Sequence, residues 1–160
     1  MILVTVGSQK FQFDRLLEKI DYLIAEKVIE KEVFAQTGYS DYRPKSYESR
    51  AFLNRDEFIR AIEKASIVIT HGGTGVIIGA VKRKKKVIAV PRLEQYGEHV
   101  DDHQVQLITQ FDEMDIIEAC YDLEDLAECY KRIQENDYVS YTSNTKEIIN
   151  SIVQYIEGKG

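Results

Sequence analysis

Short apolar runs alternate with longer segments of helical periodicity along most of the chain. Ile2 to Val6 is apolar and rich in β-branched residues, and it stops at Gly7-Ser8, as a strand does. From Phe13 to Ile29, residues Phe13, Leu16, Leu17, Ile20, Leu23 and Ile24 share one helical face. Glu32 to Gln36 predicts a second strand closed by Thr37-Gly38, and the polar, tyrosine-rich stretch from Tyr39 to Ser49 has no period and predicts a loop. Asp56 to Lys64 predicts a helix, and the continuous apolar run inside Ser66 to Thr70 suits a strand covered on both faces. Thr74 to Val81 then reads as a helix, Lys86 to Val90 as a buried strand ended by Pro91, and His99 to Phe111 as another helix. Met114 to Ala119 predicts a last strand, and Leu123 to Ile133 and Thr145 to Ile156 predict closing helices. Strands alternating with helices imply the α/β class, here a single Rossmann-like parallel sheet doubly wound, in one domain over residues 1–160.

Composition narrows the partners more than the fold. A net charge of −6 argues against nucleic acid as a main partner. The apolar start lacks a preceding charged region and a cleavage-like site, so it reads as a strand and not as a signal peptide. No run approaches the roughly 18 to 20 apolar residues of a membrane span, so any bilayer contact is expected to be peripheral. The two cysteines, Cys120 and Cys129, lack metal-ligand spacing and suit a reducing, cytoplasmic setting as packing residues.

In a sheet of this kind ligands bind beyond the carboxyl ends of the strands. The segments there are Gly7-Ser8-Gln9, Gln36-Thr37-Gly38, His71-Gly72-Gly73-Thr74-Gly75, and Pro91 to Gln104. The His71 turn is the most telling of these. Its glycines let backbone N–H groups approach an anion at a helix start, where the dipole adds positive charge, so a diphosphate fits. A tight strand-to-helix turn alone would use the same glycines. The pattern is neither a Gly-x-Gly-x-x-Gly after the first strand nor a Gly-x-x-x-x-Gly-Lys-Ser/Thr loop, so dinucleotide oxidoreduction and ATP hydrolysis lose their usual signatures. Glu98 to Gln104 gathers carboxylates, imidazoles and an amide that suit sugar hydroxyls, with helix capping by Asp101 or Asp102 as the plainer use. The three histidines, His71, His99 and His103, all fall in these two loops, an odd distribution for core packing. No further His or Cys completes a metal site.

Val4-Thr-Val-Gly-Ser8, Ile69-Thr-His-Gly-Gly-Thr-Gly75, and Val87-Ile-Ala-Val-Pro-Arg92 through Tyr96-Gly-Glu-His-Val-Asp-Asp-His-Gln104 together resemble the C-terminal domain of glycosyltransferase family 28. Within it the chain is similar to the small exopolysaccharide and capsule glycosyltransferase subunits, and to the catalytic subunit of the eukaryotic split N-acetylglucosaminyltransferase of dolichol-linked chitobiose synthesis. The resemblance implies the C-terminal, donor-binding half of a GT-B glycosyltransferase, which takes a UDP-sugar without a metal ion or other cofactor. By position Gly7 and Ser8 would meet the diphosphate, His71, Gly72, Gly73, Thr74 and Gly75 would cradle it, and Asp102, His103 and Gln104 would face the donor sugar. Phe52 and Leu53 precede the region where such domains hold uracil. Many members carry a ribose-binding glutamate where this chain has Gly79, a departure shared with capsule-type subunits.

An inverting transfer also needs a base for the acceptor hydroxyl. In two-domain relatives that base lies largely on the amino-terminal half, so the resemblance implies a membrane-anchored partner subunit, a lipid-linked sugar acceptor, and galactose or glucose as leading candidates for the sugar. Peripheral attachment to the inner face of the membrane through that partner follows. The alternative is a non-catalytic subunit that stabilises or stimulates a partner transferase. A fused two-domain epimerase or a response-regulator domain fits poorly, the first by length and the second for want of an acidic cluster after the first strand. The run Lys82 to Lys86 could attract phosphates or anionic lipid, but its place at a helix end is explained by the dipole.

Overall fold

A computed structural model describes residues 1–157. Six parallel strands form one sheet in the order β3-β2-β1-β4-β5-β6. They are β1 (Ile2–Thr5), β2 (Val33–Gln36), β3 (Glu48–Arg50), β4 (Ile67–His71), β5 (Lys86–Val90) and β6 (Glu118–Ala119). The helices are α1 (Asp14–Ala25), α2 (Arg55–Lys64), α3 (Thr74–Lys82), α4 (His103–Glu113), α5 (Leu126–Glu135) and α6 (Ser143–Glu157). Because side chains alternate along a strand, the sheet divides the core in two. Ile2, Val4, Ile67, Ile69 and Ile88 pack with Leu16, Leu17 and Ile20 of α1 and with Leu126 and Ile133 of α5. Leu3, Val68, Val87 and Ala89 pack on the other side with Ile62 of α2, Ile77 of α3, Phe111 of α4 and Ile149 of α6.

Most elements form where the sequence predicts them, and the departures have local causes. The predicted loop from Tyr39 to Ser49 ends in β3, whose exposed residues are ordered by pairing with β2, Phe34 opposite Glu48 and Gln36 opposite Arg50. Two carboxylates of α1 hold the rest of that loop. Asp14 accepts from the N–H groups of Asp41 and Tyr42, and Asp21 accepts from the Tyr42 hydroxyl and from Lys45 and Ser46 N–H. Burial alone would raise the Asp21 pKa, but those hydrogen bonds together outweigh it and hold the carboxyl below its ordinary value. The helix predicted from Phe13 stops at Ala25, where Lys27 adopts a φ of 61°. Helix α4 begins at His103, four residues after the predicted start, because His99 to Asp102 are drawn into side-chain contacts described below. The predicted strand from Met114 contracts to Glu118–Ala119, since Met114 caps α4 and Asp115 turns at a φ of 59°.

Capping marks a contrast that matters for the site. Asn54 and Glu57 form a reciprocal capping box that closes the start of α2. The start of α3 has no side-chain cap and no acidic residue in its first turn.

The run Lys82 to Lys86 lies at the opposite edge of the sheet, where α3 ends and β5 begins. Lys85 and Lys86 donate to the carbonyls of Glu63 and Gln134, and Lys82 stands over the Tyr141 ring. Cys120 and Cys129 are both buried free thiols.

Candidate functional site

Chain order along the sheet reverses between β1 and β4, the switch point at which open α/β sheets leave a crevice. Gly7 follows β1 there, and His71 ends β4. Gly7 has a φ of +76°, and a Cβ on it would lie 2.6 Å from His71 Nε2. A Cβ on Gly73 would lie 2.3 Å from His71 Cε1 and 2.6 Å from Nε2. The imidazole therefore occupies a slot that exists only because both flanking residues lack side chains. Gly72 permits a second close approach, since its Cβ would meet Gln104 Cβ at 2.8 Å.

The protonation of His71 follows from its neighbours. Gln104 Oε1 accepts from the backbone N–H groups of Gly72 and Arg92, both at 3.0 Å. Those two donors fix which end of the amide is oxygen, so the nitrogen end donates to His71 Nδ1 at 3.2 Å. A neutral ring that accepts at Nδ1 carries its proton on Nε2. Burial, followed by the charge of Arg92, lowers the His71 pKa to about 3. His71 is thus a neutral ring with an Nε2–H donor between Gly7 and Gly73.

Beside it, the first turn of α3 is open. Ile77 N–H makes the helix's first internal bond, to Gly73 O, which leaves the N–H groups of Thr74, Gly75 and Val76 without intrahelical acceptors. The hydroxyls of Thr74 and Thr70 are buried without a partner among the described residues. Orphaned buried hydroxyls are rare enough to require an explanation. Here they accompany an uncapped helix start whose dipole favours an anion.

A cavity of about 280 Å³ adjoins this turn. Thr5, Gly7, Ser8 and Gln36 line it from the strand ends, Leu53 from just before α2, Arg55 and Phe58 from α2, and Val76 from α3. Register puts Thr5 beside both Gln36 and Thr70, and the Thr5 hydroxyl donates to Gln36 Oε1 at 3.3 Å. Larger hollows of about 370 Å³ beside Phe34 and Ala61, and of about 490 Å³ between α4 and α6, do not include the turn residues.

The loop from Pro91 to Asp102 is held by charge. Arg92 has no exposed surface. Its Nη1 donates to the carbonyls of Phe11 at 2.9 Å and of Gln12 and Glu98 at 3.2 Å, and its Nη2 donates to the carbonyl of Val6. Burial lowers its pKa to about 10, so it stays a cation at neutral pH. The buried Glu98 carboxylate pairs in both oxygens with Arg15, at 2.8 and 3.0 Å, and accepts from Leu93 N–H. Further out, Asp101 lies 3.2 Å from both His99 Nδ1 and His103 Nδ1 and accepts from His103 N–H. That backbone bond first, and then the imidazoles, hold the Asp101 carboxyl below its ordinary pKa. Asp101 thereby serves the start of α4, while Asp102 accepts instead from Glu94 N–H.

The structure brings together Gly7, Ser8, His71, Gly72, Gly73, Thr74 and Gly75 from the sequence-based set. Gln104 joins them in a different role: its carbonyl oxygen is taken by two backbone amides and one N–H by His71, so it orients the turn. Asp102 ends the outer loop and His103 opens α4, with the His103 side chain 38% exposed. Sequence reasoning assigned no role to Arg15 or Thr5, placed Gln36 and Arg92 only within the strand-end segments, and read Glu98 among the groups that suit sugar hydroxyls. Glu98 lies inside the segment read as suiting sugar hydroxyls and Arg92 in the strand-end stretch before it, and only their burial distinguishes them. Among the described residues no group of three or more His, Cys, Asp or Glu is placed to hold a metal ion, and no helix is long and apolar enough to cross a membrane.

Comparison with known proteins adds family to fold. No curated protein sequence matches the chain significantly. Among solved structures, the glycotransferase of kitacinnamycin superposes with a TM-score of 0.65 at 15% identity, covering 98% of this chain and 38% of that one. The solution structure of ALG13 superposes with a TM-score of 0.61 at 16% identity, covering 98% and 96% of the two chains. MurG of Acinetobacter baumannii superposes with a TM-score of 0.56 at 15% identity, covering 96% and 49%. The chain thus spans well under two thirds of the kitacinnamycin enzyme and of MurG, and at these identities the likeness is one of fold. The model of the glycosyltransferase family 28 C-terminal domain matches residues 1–157, and the chain belongs to that family.

Proposed function

We propose that this chain is the donor-binding half of an inverting, UDP-sugar-dependent glycosyltransferase that works with a membrane-anchored partner subunit. The observation that carries this reading is the paired donor set at the switch point. His71 Nε2–H lies between Gly7 and Gly73, the uncapped N–H groups of α3 follow Gly73 directly, and a cavity of about 280 Å³ is lined by Gly7, Ser8 and Val76 next to them. A diphosphate on the α3 start would take the N–H groups of Thr74, Gly75 and Val76 and the orphaned Thr74 hydroxyl. The same donors would then stabilise the charge that develops as the sugar leaves UDP. Uridine would occupy the cavity between the ends of β1 and β2 and the start of α2. Gln36 and Arg55 there would take over ribose recognition, since Gly79 offers no side chain.

Nothing in this donor set removes a proton. His71 presents an N–H and stays neutral down to a pH of about 3, and Glu98 is buried in its pair with Arg15. Both support a base supplied from outside the chain. The likeness of fold to ALG13 extends over 96% of that chain. The sugar proposed is galactose or glucose, transferred to a lipid-linked acceptor in exopolysaccharide or capsule synthesis.

Two measurements test the proposal. A thermal-shift panel of UDP-sugars should raise the melting temperature for one donor above the rest, because a ligand that binds only the native state stabilises it. With that donor and a lipid-linked acceptor, the chain alone should turn over slowly or not at all and gain activity with its partner. Full activity of the isolated chain would refute the two-subunit reading.

A further inference from the structure

We infer that Arg92 is the fixed counter-charge of the diphosphate site, a positioning residue whose buried guanidinium favours the doubly charged ligand without touching it. The inference rests on the proposal that a nucleoside diphosphate binds at the His71 turn.

Three observations carry it. The first is location: the Arg92 N–H and the Gly72 N–H meet on the same Gln104 oxygen, each at 3.0 Å, and Arg92 Nη2 donates to the carbonyl of Val6, next to Gly7. The Arg92 backbone thus adjoins the Gly72 turn, while its guanidinium lies against the chain next to Gly7 and close enough to His71 to act on it by charge. The second is charge balance. Arg15 and Arg92 share a single buried carboxylate, Glu98, and both of its oxygens are engaged by Arg15. Arg92 is left with four backbone carbonyls and the face of the Phe13 ring, which stabilise a guanidinium but do not neutralise it. The third is incomplete satisfaction: Arg92 Nε is buried without a partner among the described residues, so the cation is stabilised less fully than its burial requires. A buried cation without its own counter-ion is costly, and an anion arriving at the adjacent turn offsets that cost. The depressed pKa of His71, caused in part by Arg92, reports the same field. The site's positive charge is thus permanent, and its histidine contributes a hydrogen bond only.

A purely structural Arg92, bracing the loops after β1 and β5, would weaken every ligand alike when replaced. A counter-charge weakens the diphosphate selectively. The test is titration of UDP and of uridine, followed by NMR to reach millimolar affinities, against the wild type, R92M, R92K and E98Q. For R92M, UDP affinity should fall on the order of tenfold to a hundredfold, the scale of a charge interaction at an effective dielectric near 20, while uridine changes by less than about threefold. R92K keeps the charge and should restore most of the UDP-to-uridine ratio. E98Q removes the opposing carboxylate and should raise UDP affinity severalfold with uridine unchanged. Should R92M fail to fold, the opposite-signed E98Q result and R92K decide the matter. Equal weakening of UDP and uridine in the Arg92 variants, or an unchanged ratio in E98Q, would overturn the inference. A wild type that binds neither ligand would refute the nucleotide reading itself.

Discussion

Replacing His71 with glutamine should make the protein less sensitive to acid. In the folded chain His71 takes up a proton only near pH 3, against an ordinary value of 6.5. Between those limits the unfolded chain binds a proton that the folded chain does not, so stability falls as pH falls through this window and is fully present above it. Each pH unit inside the window is worth about 1.4 kcal/mol. From pH 7 to pH 5 the loss attributable to His71 is therefore about 2 kcal/mol, and any folded value below about 4 gives the same figure. Glutamine has no titration, so the variant should lack this component whatever its absolute stability. The assay is urea unfolding followed by circular dichroism at pH 7 and pH 5 for both proteins. Carboxyls held below their ordinary pKa, such as Asp21 and Asp101, act in both and cancel in the comparison. Parallel pH dependences in the two proteins would refute the assignment of His71 as a buried neutral ring.

Other changes separate the site from the scaffold. Gly73→Ala puts a methyl 2.3 Å from the His71 ring; isothermal calorimetry should show UDP affinity reduced at least about tenfold, and urea unfolding a stability loss of about 1 to 3 kcal/mol from overpacking. Gln104→Leu leaves the Gly72 and Arg92 N–H groups and His71 Nδ1 without partners, and should cost about 3 kcal/mol or more in chemical denaturation. Asn54→Ala removes the capping box of α2 and should cost about 1 kcal/mol while leaving UDP affinity within about twofold.

Much of the sheet was legible because its strands carry continuous apolar runs with glycine or proline at or soon after their ends, as at Ile67 to Ile69 before Gly72 and Val87 to Val90 before Pro91. β3 was not, since Glu48, Ser49 and Arg50 are exposed and owe their conformation to pairing with β2. The start of α4 was misplaced for a related reason: polar residues from His99 to Asp102 satisfy one another and the Glu94 turn before the helix begins. The glycine turn marks a candidate anion site by composition. What composition does not reveal is that Gly7 and Gly73 are small to admit His71, or that Gln104 faces inward to two amides while its neighbour His103 faces out. Nor does it distinguish buried Arg92 from the exposed cations of the Lys82 run, because burial of a charge depends on the carbonyls and ring that a distant segment supplies.

Calorimetric titration of the isolated chain with UDP, alongside uridine and inorganic phosphate, is the most direct test of donor binding at the switch point. UDP has about 25 non-hydrogen atoms, and about 0.3 kcal/mol each gives a limit near −7.5 kcal/mol, or a Kd of a few micromolar. On the proposed reading part of the donor's contacts would come from the partner half, so the expected Kd lies between a few micromolar and about 1 mM. It should be lost in His71→Ala and be tighter for UDP than for uridine. Absence of UDP binding at millimolar ligand, or binding that His71→Ala leaves intact, would contradict the account.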